Sequence, residues 1–315
     1  MSTVQESITP ISAIPAEADI LEPSDDRIFK ALLTHPNAGS ALKNLISAVI
    51  ERTVTEVQIR NNELPVTDDD EKNERLDVNC VVDGGDQVDV EMQASRRVEL
   101  TDDKHISFIN KSIYYLTDLH SSQKSKGVAY RDMVRTYQVT FCDHNVFETW
   151  PDFISRFSLR RDNGEQLSDQ INIAVIELDK LNKLLNKPVE DMALIEEWSV
   201  FFKYAPDPKH RDLVNNVINK NGGIAMAATL LMEISKDEHE RARIRSRKMA
   251  ETDRISDLLT AEARGIEKGI EKGVEKGVEK SKIEIAKTMI ADGMDVNTVS
   301  KYTKLTVDDI LKYCK

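Results

Sequence analysis

The segment Arg75-Leu-Asp77-Val-Asn79-Cys-Val-Val82-Asp83-Gly84-Gly85-Asp86-Gln-Val-Asp89-Val-Glu91-Met-Gln93 can fold in few ways. Leu76, Val78, Cys80 and Val82 alternate with polar residues, and Val88, Val90 and Met92 do so again. Side chains on a strand alternate between faces, so each run reads as a strand with one apolar and one polar face. The glycine pair between them marks a tight turn. Asp77 and Asn79 share the polar face of the first strand; Asp89, Glu91 and Gln93 share that of the second.

Both apolar faces must point the same way, which requires an odd number of loop residues. A loop of Asp83, Gly84 and Gly85 fits, with Gly85 in the left-handed position. That register sets Asp77 opposite Glu91, with Cβ atoms roughly 5 Å apart. A loop of Gly84 to Asp86 instead sets Asp77 opposite Gln93, with Glu91 one step away. Like charges directly opposite each other are destabilising unless a cation or a shared proton relieves them. The competing reading is an edge hairpin with a solvated acidic face.

Three cysteines, Cys80, Cys142 and Cys314, lie far apart without CxxC spacing, and the six histidines are scattered. These patterns argue against a zinc site and suit a reducing cytoplasm. No apolar run approaches the length of a membrane span, and the first residues lack the plan of a signal peptide. A net charge of −12 lacks the basic footprint of a dedicated DNA-binding protein. Basic residues are nonetheless local to the acidic pair: Arg96, Arg97, Lys104 and Lys111, then Lys124, Lys126, Arg131 and Arg135.

Along the chain, residues 1–22 lack periodicity and read as a disordered N-terminus. Ser24 is a candidate N-cap for a helix carrying Ile28, Phe29, Leu32 and Leu33, with Asp26 in its first turn. Residues 39–52 form a second amphipathic helix, 54–60 a strand, and Asp68 to Glu71 an acidic loop. Ile106 to His120 reads as a helix with Ile109, Ile113, Leu116 and Leu119 on one face. Residues 134–141 and 171–178 read as further strands, and 183–235 as helices completing a domain over 23–235. This order predicts an α/β core.

Residues 236–280 change character. A basic stretch leads into an internal repeat, Gly265-Ile-Glu-Lys, Gly269-Ile-Glu-Lys, Gly273-Val-Glu-Lys, Gly277-Val-Glu-Lys. As a helix, this places Ile266, Ile270, Val274 and Val278 on one ridge beside a ridge of glycines. Each Gly costs roughly 1 kcal/mol relative to Ala in a helix. Close pairing with a second copy offsets that cost, so the repeat points to a homodimer or higher oligomer through 265–280; a flexible linker is the alternative. Residues 281–315 read as a small helical unit with Thr306 capping its last helix. Its cadence is that of a helix-turn-helix, although its nearly neutral charge points to a partner or dimer surface more than to DNA reading.

The acidic pair belongs to a wider pattern. Asp26-Arg-Ile-Phe29-Lys30, Leu76-Asp77-Val78, Val90-Glu91-Met92-Gln93, Lys111-Ser-Ile-Tyr-Tyr115, Gly127-Val-Ala-Tyr130, Ile173-Ala-Val-Ile-Glu177-Leu178 and the repeat tail occur in order. Over residues 22–315 the chain resembles the Rpn family of recombination-promoting nucleases and transposase-like proteins, within the PD-(D/E)XK superfamily. The resemblance implies a restriction-endonuclease-like core, a mixed sheet flanked by helices, with a helical C-terminal extension. It implies a divalent-metal-dependent DNA endonuclease of recombination, mobile elements or defence. Asp77 and Glu91 would hold Mg²⁺ or Mn²⁺, with Gln93, Lys111 and Asp26 as further catalytic candidates. It further implies that the C-terminal part can be expressed separately and enter mixed oligomers. Two positions depart from the pattern: Gln93 stands where the superfamily has Lys, and Lys111 where this family has Arg. Gln can orient water but supplies neither charge nor a base. The alternative is therefore a catalytically weak or inactive nuclease-like oligomeric binding or regulatory protein. For Glu177 the residues favour a structural cap or salt bridge.

Overall fold

The structure is a computed structural model and describes residues 8–60, 77–93, 103–123 and 129–313. The acidic run Asp68–Glu71, the cations Arg96, Arg97, Lys124 and Lys126, and Cys314 lie outside these residues, as does the Lys104 side chain.

The hairpin forms with the loop of Asp83, Gly84 and Gly85. Strand β2 (Val78–Val82) pairs antiparallel with β3 (Asp86–Gln93), Val82 opposite Asp86 and Val78 opposite Val90. Gly84 and Gly85 both take positive φ, 73° and 101°, which explains why both turn positions are glycine. Strand β1 (Val57–Ile59) pairs on the outer side of β2. On the other side β3 runs parallel to β4 (Thr136–Cys142), and β4 runs parallel to β6 (Gln166–Glu177). The edge is closed by β5 (Ile154–Arg160), antiparallel to β6, giving the order β1-β2-β3-β4-β6-β5.

Helices cover both faces. One face of the sheet, with Val78, Cys80, Val88, Val90, Val139, Phe141 and Ile176, is buried in the main core. Helices α1 (Asp26–Leu33) and α2 (Gly39–Ile50) pack into the same core. So do helices spanning Leu194–Tyr204, Arg211–Lys220 and Gly222–Lys236, here α4, α5 and α6. α2 and α6 approach so closely that a Cβ on Gly223 would sit 2.4 Å from the Asn44 side chain. The opposite face is covered by α3 (Asp103–Ser121), whose Phe108 and Ile109 pack against Cys142, Val146, Phe147 and Val175.

Three expectations are corrected. Residues 8–22 are ordered: Ile14 is buried, and the N–H groups of Ile11, Ile14 and Leu21 donate to Thr229, Asn215 and Ser235. Side-chain acceptors on α5 and α6 replace the regular backbone pairing that the sequence of this strap cannot offer. The N-cap of α1 is Asp25 rather than Ser24; its carboxylate accepts from the N–H of Arg27 and Ile28, which Ser24 stands one residue too early to reach. On α3 the covered face carries Ser112, Tyr115, Leu116 and Leu119, while Ile113 is exposed. The sheet face beneath it mixes an apolar patch at Cys142 and Val175 with the polar Asp89, Glu91 and Gln138, so it does not select the most apolar stripe of the helix.

Contacts divide the chain into units 1–245 and 246–315. Helix α7 (Glu238–Ala291) begins in the first and continues into the second. In the second, Ala286 of α7 packs with Val299 of α8 (Val296–Thr303) and Ile310 of α9 (Val307–Tyr313). Asp295 caps α8, and the Thr306 hydroxyl accepts from Asp309 N–H at the start of α9. The repeat is helical. Ile266, Ile270, Val274 and Val278 are exposed, and a Cβ added to any of its glycines would meet nothing within 4 Å.

Candidate active site

The hairpin register carries the site. With Val78 opposite Val90, the preceding Asp77 falls opposite Glu91. Two hydrogen bonds tie the pair together: Asp77 N–H donates to Glu91 Oε1 (3.2 Å), and Met92 N–H donates to Asp77 Oδ2 (3.1 Å). Strand alternation gives both side chains the face that α3 covers, and Glu91 is 7% exposed.

Asp77 in such a place resists ionisation. Burial, then the neighbouring Glu91 charge, raise the Asp77 pKa to about 6; the Met92 N–H and Lys30 pull it down, and Asp26 pushes it up. Lys111 reaches in from α3, its Nζ 3.5 Å from Glu91 Oε2 and 5.0 Å from the centre of the Tyr115 ring. Asp26 sits in the first turn of α1, where its carboxylate also accepts from Arg27 N–H. The fold thus brings together Asp77, Glu91 and Lys111 by contact, and Asp26 by its field.

Gln93 lies at the end of β3, half-buried and on the same strand face as Glu91. Its carbonyl accepts from Asp143 N–H (3.3 Å), anchoring the loop after β4 beside the site. Glu177 stands apart from this cluster. Fully buried, it accepts from the N–H groups of Val146 (2.6 Å) and Phe147 (2.9 Å) and pairs with Lys180 (2.7 Å). Its role is to hold that loop, as the sequence favoured.

Two further charged groups belong to the neighbourhood. Asp89, one pleat below Glu91, is 0% exposed, and neither carboxylate oxygen has a well-formed hydrogen bond. Burial, then the Glu91 charge, push its pKa well above the ordinary range, opposed by the adjacent Gln138 side chain. The only trace of it in the sequence is its place on the polar face, since alternation does not tell a solvated face from one roofed by a helix. Lys30 is the other, and its trace is the spacing of one helical turn from Asp26.

The donor set fits a hard divalent cation. Paired carboxylate oxygens, one of them reluctant to ionise, gain from a positive charge between them. Among the described residues no three His, Cys, Asp or Glu converge as metal ligands. Two carboxylates leave the other positions of such an ion to water, which a hard divalent cation tolerates. The buried thiols of Cys80 and Cys142 are raised far above the usual range by burial and are poor soft-metal ligands.

Residues 23–261 match the family described as PD-(D/E)XK nuclease family transposase, and residues 279–315 match the C-terminal HTH domain of the Rpn/YhgA-like nuclease family. Neither a curated protein nor a solved structure matches the chain. Among the described residues no helix is long and apolar enough to cross a membrane.

Proposed function

We propose that this chain, which belongs to the PD-(D/E)XK nuclease family transposases and carries an Rpn/YhgA-like HTH domain, is a divalent-metal-dependent DNA endonuclease. Its mixed sheet with helices on both faces is the restriction-endonuclease-like α/β core of that family. The observation that carries the proposal is the Asp77–Glu91 pair: two carboxylates locked face to face, one raised to about 6 by burial and by the other. A cation between the two carboxylates would relieve this repulsion.

In this reading Asp77 and Glu91 hold Mg²⁺ or Mn²⁺. The ion supplies Lewis acidity, which activates water and offsets charge on the phosphate. Gln93 orients the attacking water through its amide. Lys111 sets its ammonium beside Glu91 and balances its charge. The HTH unit delivers the chain to DNA, and the Ile/Val ridge of α7 pairs with a second copy, so that two nuclease heads act on one duplex. A role in recombination of mobile elements or in defence follows from the same family reading.

The second reading is a nuclease-like protein with little catalysis, acting as an oligomeric regulator. Gln93 in place of Lys favours it. Nicking of supercoiled plasmid by the purified protein, with Mg²⁺, Mn²⁺ or EDTA, separates the two. Metal-dependent nicking that disappears in both Asp77→Ala and Glu91→Ala supports the enzyme. Tight DNA binding without nicking by the intact protein supports the regulator.

A further inference from the structure

The acidic pair faces α3. The reverse face of the same sheet holds a cavity of about 260 Å³ beside the last turn of α2. Strand register builds its floor. Val139, Ala174 and Arg156 lie in one row across β4, β6 and β5, and Tyr137, Asn172 and Ser158 lie in the next. Ala174 is the small member of its row, which leaves room between its larger neighbours. Val49, Ile50 and Glu51 of the α2 end form the opposite wall. Glu51 is the left-handed residue that ends α2, with φ of 54°.

Two arginines line this cavity, and neither has its charge well matched. Arg156 is half-buried. Its guanidinium donates to the Val49 carbonyl (3.5 Å) and pairs with Glu51 (3.1 Å), whose side chain is exposed. An ion pair with an exposed partner contributes little. Burial pushes the Arg156 guanidinium below its ordinary range, with Glu51 opposing. Arg160 is held by neutral oxygens: its Nε donates to Ser158 Oγ and its Nη1 to the Gly164 carbonyl, both at 3.0 Å. Among the described residues it pairs with no carboxylate. A capping role at the α2 end accounts for Arg156 alone. It accounts neither for Arg160 nor for the cavity that both arginines line.

We propose that this cavity is a second binding site, which takes the phosphate group of a small phosphorylated molecule between Arg156 and Arg160, with Glu51 as the internal carboxylate that the phosphate replaces. Guanidinium forks match phosphate oxygens in pairs. Tyr137 lines the same cavity and offers a hydroxyl donor. At about 260 Å³ the space lies at the small end of ligand pockets, which suits a compact phosphate ester. A nucleic-acid backbone would have to enter a recess beside α2, on a chain of net charge −12. The site is independent of the nuclease reading, since it lies across the sheet from Asp77 and Glu91.

The test is a calorimetric titration of the full-length chain with inorganic phosphate, for the wild type, Arg156→Gln, Arg160→Gln and Glu51→Gln. EDTA is present throughout, so that no metal carries phosphate to the acidic pair, and circular dichroism checks each fold. The wild type is expected to bind phosphate with millimolar affinity or better. Each arginine variant is expected to bind about tenfold or more weakly, the loss of one charge-assisted hydrogen bond. Glu51→Gln is expected to bind a few-fold more tightly, because the competing carboxylate has gone. That gain does not follow from a capping role of Arg156, and it decides the matter even where an arginine variant fails to fold. No binding by the wild type, unchanged affinity in a folded Arg160→Gln, or equal or weaker binding in Glu51→Gln overturns the proposal. Displacement of the bound phosphate by a DNA duplex without terminal phosphates overturns it too, and makes the cavity a seat for the nucleic-acid backbone.

Discussion

The hairpin and the α7 repeat fail to satisfy their own side chains in opposite ways. At the hairpin, carboxylates that belong in water are buried: Glu91 and Asp89 are 7% and 0% exposed, and Asp77 is raised to about 6. On α7, side chains that belong in a core stand in water: Ile266, Ile270, Val274 and Val278 are 57%, 63%, 61% and 49% exposed. Each arrangement costs the isolated chain stability. On the proposed reading a cation would relieve the first cost and a second apolar ridge the other.

The largest effect is expected at the hairpin. Asp77→Ala or Glu91→Ala should lower metal-dependent nicking by at least about 1,000-fold, since the ion and all it supplies are lost together. Circular dichroism should show the fold retained. Nicking within a few-fold of the wild type in both variants would break the comparison on its polar side.

On the apolar side, truncation after Arg264 should convert a dimer into a monomer in sedimentation. Burying the four β-branched side chains is worth roughly 1.5–3 kcal/mol each when complete, enough to offset about 1 kcal/mol for each of the glycines among them. The same oligomeric state with and without the tail would return the repeat to a linker.

Gln93 separates orientation from charge. Gln93→Ala should slow nicking about tenfold by removing a hydrogen bond to water, and Gln93→Lys should raise it. Two neutral substitutions would place the position outside the active centre.

The smallest effect is a pH dependence of stability. Asp77 holds its proton up to about pH 6 in the fold, against 3.8 in the unfolded chain. The folded state therefore binds the extra proton between those values, and metal-free stability falls as pH rises through them. Asp77→Asn should gain about 1–3 kcal/mol above pH 6 and nothing below about pH 4. Urea titrations at the two pH values measure the difference, and equal gains at both would mean that Asp77 ionises normally.

The two regions were also unequally legible. Alternation and a glycine pair define the hairpin, and the single odd-length loop that the structure adopts sets Asp77 against Glu91. The repeat and its helical ridge are periodic and need no structure to be seen. What stayed hidden depends on packing between distant segments. Strand β5 is partly exposed along its length and has no buried alternation to mark it. The strap 8–22 is ordered by Asn215, Thr229 and Ser235, some 200 residues away. Asp89 looks like any residue of a solvated polar face until α3 is placed over it, and Lys30 looks like a surface lysine until α1 is set against β3. The shift of the α1 cap from Ser24 to Asp25 is of a different kind, a choice between adjacent capping residues that sequence alone does not rank.

The claim that the buried acidic pair exists to hold a cation is tested most directly by thermal unfolding of the wild type and Asp77→Asn at pH 8, each with and without Mg²⁺. The wild type should start less stable than the variant, and Mg²⁺ should raise its Tm while leaving that of Asp77→Asn almost unmoved. An equal shift in both, or none in the wild type at millimolar Mg²⁺, would contradict it.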